Sequence, residues 1–172
     1  MARRMTRAGR RGYTLIELAV VLAVMGIVAG LGTGLVVAGA RAYRASRSRA
    51  DAYAEADYAL RRLTAELRGL PSAAQIESIG SDAITFRLDG GAARTFERSG
   101  STLLRDGQPL ARDVTAFELT YYGADGSVVS EPSQVCRIAA AVAVNKGGHT
   151  ARLRTEIFPR AFRSSYLSWE DE

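Results

Sequence analysis

The sequence predicts an α+β fold: one long N-terminal helix, apolar in its first half, packed on a C-terminal antiparallel β-sheet domain. Three observations predict it. Residues 18–40 carry no charge at all. Apolar residues then recur at intervals of three and four up to Pro71, the spacing of one helix face. Beyond Pro71 the period falls to two, with turns rich in Gly and Asp between the runs. The 172 residues thus divide into a basic leader (1–12), a helix (13–70, in membrane over about 15–40) and a β-rich domain (71–172).

The leader holds Arg3, Arg4, Arg7, Arg10 and Arg11 and no acidic residue. The net charge of +5 is therefore local. Removing these five from the 23 basic residues leaves 18, equal to the 18 acidic ones. A neutral body has no net charge with which to displace counterions from a phosphate backbone, so nucleic acid is not an expected partner. The basic block reads instead as a topology signal that keeps the N-terminus in the cytoplasm. Arg41, Arg44, Arg47 and Arg49 follow the apolar run, but Asp51 and Glu55 dilute that second set.

Leu18–Ala40 is a run of 23 uncharged residues. At about 1.5 Å per residue it spans a hydrocarbon core of roughly 30 Å. A secretory signal peptide has a shorter apolar region, of about 7–15 residues, although "AGA" at 38–40 imitates its cleavage site. Gly26, Gly30 and Gly34 stand four apart on one helix face, a ladder that lets membrane helices approach closely. "GLGTG" lacks the third glycine and the strand–turn–helix context of a nucleotide-binding loop. Glu17 is the anomaly. A carboxylate at the front of a membrane-seeking run costs several kcal/mol unless it finds a partner.

"G-Y-T-L-I-E", residues 12–17, closes the basic leader and opens the apolar helix. It resembles the type IV prepilin processing site shared by type IV pilins, type II secretion pseudopilins and related competence proteins. The resemblance implies a cut between Gly12 and Tyr13 by a membrane prepilin peptidase, which then methylates the new N-terminus on Tyr13. Tyrosine stands where that family usually has phenylalanine. The resemblance also implies that Glu17 pairs with the terminal amine of a neighbouring subunit during assembly. Cleavage puts that amine one helical turn from Glu17, within reach of it. The expected partners are the peptidase, other pilin or pseudopilin subunits, an ATP-driven inner-membrane assembly platform and membrane lipid. The expected place is the cytoplasmic (inner) membrane, crossed once, with the C-terminal domain outside. The general pattern of the remainder looks like the larger minor pseudopilins, component J, or nearby minor pilins.

Tyr53, Ala56, Leu60, Leu63, Leu67 and Leu70 form the apolar stripe of the second helical half, and Pro71 ends it near Gly69. With its first half the helix would run about 58 residues, roughly 87 Å. "AITFRL" (83–88) and "ARTFER" (93–98) flank a hairpin turn. "TLLRDGQPLA" (102–111) reads as two short strands about Asp106-Gly107. "VTAFELTYY" (114–122) alternates, with Thr115, Phe117, Leu119 and Tyr121 on its apolar side. "QVCRIAAAVAV" (134–144) is a central strand. "NKGGH" (145–149) turns the chain back into "TARLRTEIF" (150–158), where arginines alternate with Ala151, Leu153, Thr155 and Ile157. One antiparallel sheet laid against the helix is expected.

No catalytic set stands out, so the protein is not expected to be an enzyme, and no cofactor or metal is expected. His149 is the single histidine and Cys136 the single cysteine. Together they cannot supply a structural zinc site, and no G-x-S-x-G nucleophile elbow occurs. Cys136 reads as a small packed hydrophobe, His149 as a solvated turn residue, Asp125 in "GADGS" as a turn former, and Asp51 with Glu55 as a solvated face. The expected function is a structural assembly subunit. The alternatives are a single-pass anchored binding or sensor domain that is never assembled, a membrane-tethered enzyme, and a secreted domain cut after Ala40.

Overall fold

The computed structural model describes residues 14–88 and 90–159. The fold is α+β. One helix, α1 (Leu15–Arg68), precedes eight strands: β1 (Ile76–Ile79), β2 (Ala83–Arg87), β3 (Ala93–Ser99), β4 (Thr102–Arg105), β5 (Gln108–Ala111), β6 (Val114–Tyr122), β7 (Arg137–Lys146) and β8 (His149–Ile157). The chain forms two units that meet at Arg44 and Ala45, and each is described by itself.

The first unit is the apolar part of α1, and every described side chain in it is exposed, including Leu15, Ile16, Met25, Ile27, Leu31 and Leu35. Thr33 turns its hydroxyl back onto the Ala29 carbonyl at 2.9 Å, so the helix presents no free hydroxyl there. α1 is the one helix among the described residues long and apolar enough to cross a membrane.

The second unit starts with the remainder of α1. Ala52, Ala56, Ala59, Leu60, Leu63 and Leu67 are buried at helical spacing. The three alanines bring the helix backbone close to the sheets. Tyr53 departs from the expected stripe: it is 54% exposed, and Ala52 takes its place in the core. The helix closes with tightened bonds, Gly69 N–H to Glu66 O at 3.1 Å and Leu70 N–H to Leu67 O at 3.2 Å. Pro71 then prevents continuation.

The strands form two antiparallel meanders rather than the single sheet the sequence suggests. One has the order β1-β2-β3-β4-β5, the other β6-β7-β8. The break lies at Asp113, which adopts a left-handed backbone (φ 57°) between β5 and β6. Asp tolerates that conformation better than most side chains, and its carbonyl accepts the Asn145 N–H at 2.9 Å. Two of the hairpin turns are two-residue loops with left-handed backbone at both positions. Asp106 and Gly107 both have positive φ between β4 and β5, as do Gly147 and Gly148 between β7 and β8, the geometry that matches strand twist. β1, a four-residue edge strand paired with β2 through a register shift, carried no sequence signal.

In β6 a bulge between Val114 and Ala116 resets the alternation. Val114 is therefore buried and Thr115 exposed, the reverse of the expected faces, while Phe117, Leu119 and Tyr121 point inward as expected. β7 is central and buried on both faces, with Ile138, Ala140, Val142 and Val144 in the main core. In the first sheet Phe86 and Phe96, both fully buried, stack with centroids 6.1 Å apart and planes 8° from parallel.

Candidate functional site: the N-terminal segment and the charged ties of the domain

Thr14 opens the helix. Its Oγ1 accepts the Glu17 N–H at 3.3 Å and its carbonyl accepts the Leu18 N–H at 3.2 Å. "T-L-I-E" is thus a capping sequence, with Thr at the cap and Glu three residues on. This local role of Glu17 is legible from spacing alone. The carboxylate also sits where the helix dipole favours negative charge, an effect of about 0.3–1 kcal/mol. That is smaller than the several kcal/mol needed to hold an unpaired carboxylate in lipid. Helix capping alone therefore does not account for an acid at this place.

Gly26, Gly30 and Gly34 lie four apart along the exposed apolar helix, and a Cβ added at any of them would meet no atom within 4 Å. Nothing inside this chain requires glycine there. Gly12 and Tyr13, the expected cut site and methylation site, lie outside the described residues, as does the acidic C-terminal tail.

The C-terminal domain is tied to its helix by two carboxylates, Glu66, which the sequence pattern does not single out, and Glu55. Glu66 is buried (6% exposed) and meets three guanidinium groups: Arg62 Nε at 2.7 Å, Arg105 Nε at 2.7 Å and Arg94 Nη1 at 2.9 Å. Arg94 and Arg105 come from β3 and β4 and stand in phase with Phe96, on the helix-facing side. Glu55, expected on a solvated face, is instead half-buried. Its carboxylate accepts the Arg112 N–H at 2.9 Å and the Lys146 ammonium at 2.6 Å. Burial alone would raise the Glu55 carboxyl. The ammonium and the amide outweigh it and hold the group below its usual 4.5. The same hydrogen bond raises Lys146 above its usual 10.5.

The sign of this linkage sets a pH window. The Glu55 contribution is fully present above pH 4.5 and is lost as pH falls through the lowered value. The Lys146 contribution is present below pH 10.5 and is lost as pH rises through the raised value. Glu55→Gln is expected to cost about 1 kcal/mol at pH 7 and to flatten the acid limb of stability below pH 4.5. Urea unfolding across pH checks this.

The remaining candidates have structural employment. Asp125 Oδ1 accepts both the N–H and the hydroxyl of Ser127, at 2.9 and 2.7 Å, and closes the turn. His149 is half-buried rather than solvated, with Arg49 Nε 3.4 Å from its Nδ1. Cys136 is half-buried and free, and its N–H donates to the Tyr122 carbonyl at 2.8 Å. Among the described residues no group of three His, Cys, Asp or Glu is placed to hold a metal ion.

Residues 7–33 match the family model described as the prokaryotic N-terminal methylation motif. The match takes in part of the leader, Gly12, Tyr13, Glu17 and the glycines Gly26 and Gly30, and it supports a type IV pilin-like protein processed by prepilin peptidase. Gly34 and the β-rich domain lie beyond it. No curated protein and no solved structure matches the chain. A pilin-like motif at the head of a membrane-spanning-capable helix, followed by antiparallel sheets, agrees with single-pass anchoring in the inner membrane.

Proposed function

We propose that this chain is a structural minor pilin or pseudopilin. Prepilin peptidase removes residues 1–12 on the cytoplasmic side and methylates Tyr13. The helix is then drawn from the bilayer into a type II secretion pseudopilus or a type IV pilus. Its C-terminal domain faces the periplasm or the exterior. In general pattern it looks like the larger minor pseudopilins of the component J kind, or minor pilins close to them. Its work is to bind neighbouring subunits rather than to turn over a substrate.

The observation that carries this reading is Glu17, set within the matched motif at the start of a helix whose side chains are exposed throughout its apolar first half. A charge partner for Glu17 follows from cleavage, because a free amine at Tyr13 would lie four residues away. The terminal amine of one subunit can then meet Glu17 of the next, while Gly26, Gly30 and Gly34 admit a neighbouring helix closely.

The test is intact-mass and N-terminal peptide analysis of the protein purified from its native membrane. The expected mature chain begins at methylated Tyr13. Gly12→Ala keeps its leader, and Glu17→Ala is processed but absent from filaments. A full leader on the wild-type chain would leave a plain anchored domain, and a start at Arg41 would mean an ordinary secreted one.

A further inference from the structure

The two meanders leave four outer edges, and they are treated differently. That of β6 is largely occupied. Leu119 N–H donates to Ser81 O at 2.7 Å and Val114 N–H to Ser101 O at 2.9 Å, while the Tyr121 carbonyl accepts the Val129 N–H at 3.0 Å. The edges belonging to β1 and β5 are only four residues long. β8 is nine residues long and pairs with β7 without a register shift, and no described strand lies on its other side. A long, regular edge is a template for another strand.

Edge strands are commonly blunted by charge, but here part of the charge is turned away. Arg152 reaches across β7 to Glu118 at 2.6 Å, over the outer face of the sheet. Beside the edge runs a groove of about 460 Å³ between β8 and the exposed side of α1, floored by Leu60, Ala65 and Leu153. That volume falls within the range of ligand sites. Its rim carries Arg61, Arg68 and Arg154 against one acid, Asp57. Asp57 is already bound to Arg61 at 2.6 Å. Arg154 stands 3.8 Å from Glu156, a carboxylate that Arg137 also holds at 2.9 Å, and Arg68 makes no ion pair among the described residues, so the rim stays net positive.

We propose that the open edge of β8 and this groove receive an extended, acidic segment of a neighbouring subunit as an added strand. Main-chain bonds to β8 supply affinity. Alternate side chains of the incoming strand supply specificity: those on the helix side meet Leu60 and Leu153 with Arg68 beside them, and acidic ones on the other side meet Arg154. The identity of the occupant as a fellow subunit rests on the assembly reading above. The edge itself can be tested apart from it.

The experiment is hydrogen exchange on the full chain in detergent micelles, with a synthetic nine-residue peptide alternating valine and glutamate as probe and a valine–lysine peptide as control. At ten times its Kd the glutamate peptide is expected to slow exchange of the free-edge amides of β8 about tenfold. The amides of β6 are unchanged. Arg68→Glu combined with Arg154→Glu reverses the preference to the lysine peptide. Equal protection by both peptides, or none on β8, overturns the proposal. So does protection present without peptide. If that protection vanishes on removing residues 160–172, the edge belongs to this chain's own C-terminal segment; if it grows with protein concentration, it belongs to a second copy. An unprocessed N-terminus with peptide binding intact would sink the assembly reading and leave the acidic-strand site standing.

Discussion

Replacing Glu66 with alanine is expected to lower the unfolding free energy of the C-terminal domain by about 3 kcal/mol. Glu66 is the one carboxylate that Arg62, Arg94 and Arg105 share. Without it three guanidinium groups crowd together around a cavity. Breaking a buried pair from one side costs about 3–5 kcal/mol, because the remaining charge has no partner. The arginines are 27–45% exposed, and water reaching them keeps the cost at the lower end. Removing the ions together is a different matter. A chain with Glu66→Met, Arg94→Leu and Arg105→Met is expected to recover most of the loss, since none of the three groups then has to be desolvated. Urea titrations of the three proteins, with m-values compared to confirm an unchanged unfolding reaction, decide it. If the single variant loses less than 1 kcal/mol, the cluster is a surface network and contributes little.

The second large effect is expected at Phe96. Phe96→Ala removes a fully buried ring from the middle of the five-stranded sheet, at a cost of about 3–5 kcal/mol. Part of that is the stack on Phe86 at 6.1 Å, worth about 0.5–1.5 kcal/mol beyond burial. A double-mutant cycle with Phe86→Ala isolates the stacking share, and a coupling near zero would reduce the pair to two independent hydrophobes. Phe96→Leu keeps most of the volume and is expected to lose far less than the alanine variant. Neither residue lies within the matched motif. Their failure would act through the folded domain, leaving the proposed cleavage at Gly12 unaffected.

What was legible in the sequence followed from period and turn chemistry. The uncharged run, the stripe through Ala56, Leu60, Leu63 and Leu67, the Asp106-Gly107 and Gly147-Gly148 turns, and the central β7 all sit where a simple count places them. What was hidden depended on contacts between distant residues. Arg94 looks like a solvent residue in "ARTFER", yet it shares a face with Phe96 because Glu66, 28 residues earlier, waits on the helix. Glu55 looks solvated until Lys146 arrives from 91 residues away. The division into two sheets turns on Asp113 holding a left-handed backbone without being glycine. The faces of Val114 and Thr115 were exchanged by a bulge, which one extra residue creates without any change of composition. At the N-terminus the cap at Thr14 needed only a three-residue count. The meaning of Glu17 needed the energetic comparison between a helix dipole and a lipid interior.

The order of pairing has a kinetic consequence. Every strand in both sheets bonds to the strand next to it in the chain. Nearly all sheet closure is thus local, and local closure is the fast part of folding because short loops lose little entropy. The far-reaching contacts lie between the helix and the sheets, through its buried apolar stripe and through Glu55 and Glu66, and between the two sheets, where Leu119 N–H meets Ser81 O and the Tyr121 hydroxyl meets Gly80 O. Within each meander the pairing therefore needs only that meander's own turns. Docking the helix stripe and the two meanders on one another closes the long loops, so that docking carries most of the loop-entropy cost of folding.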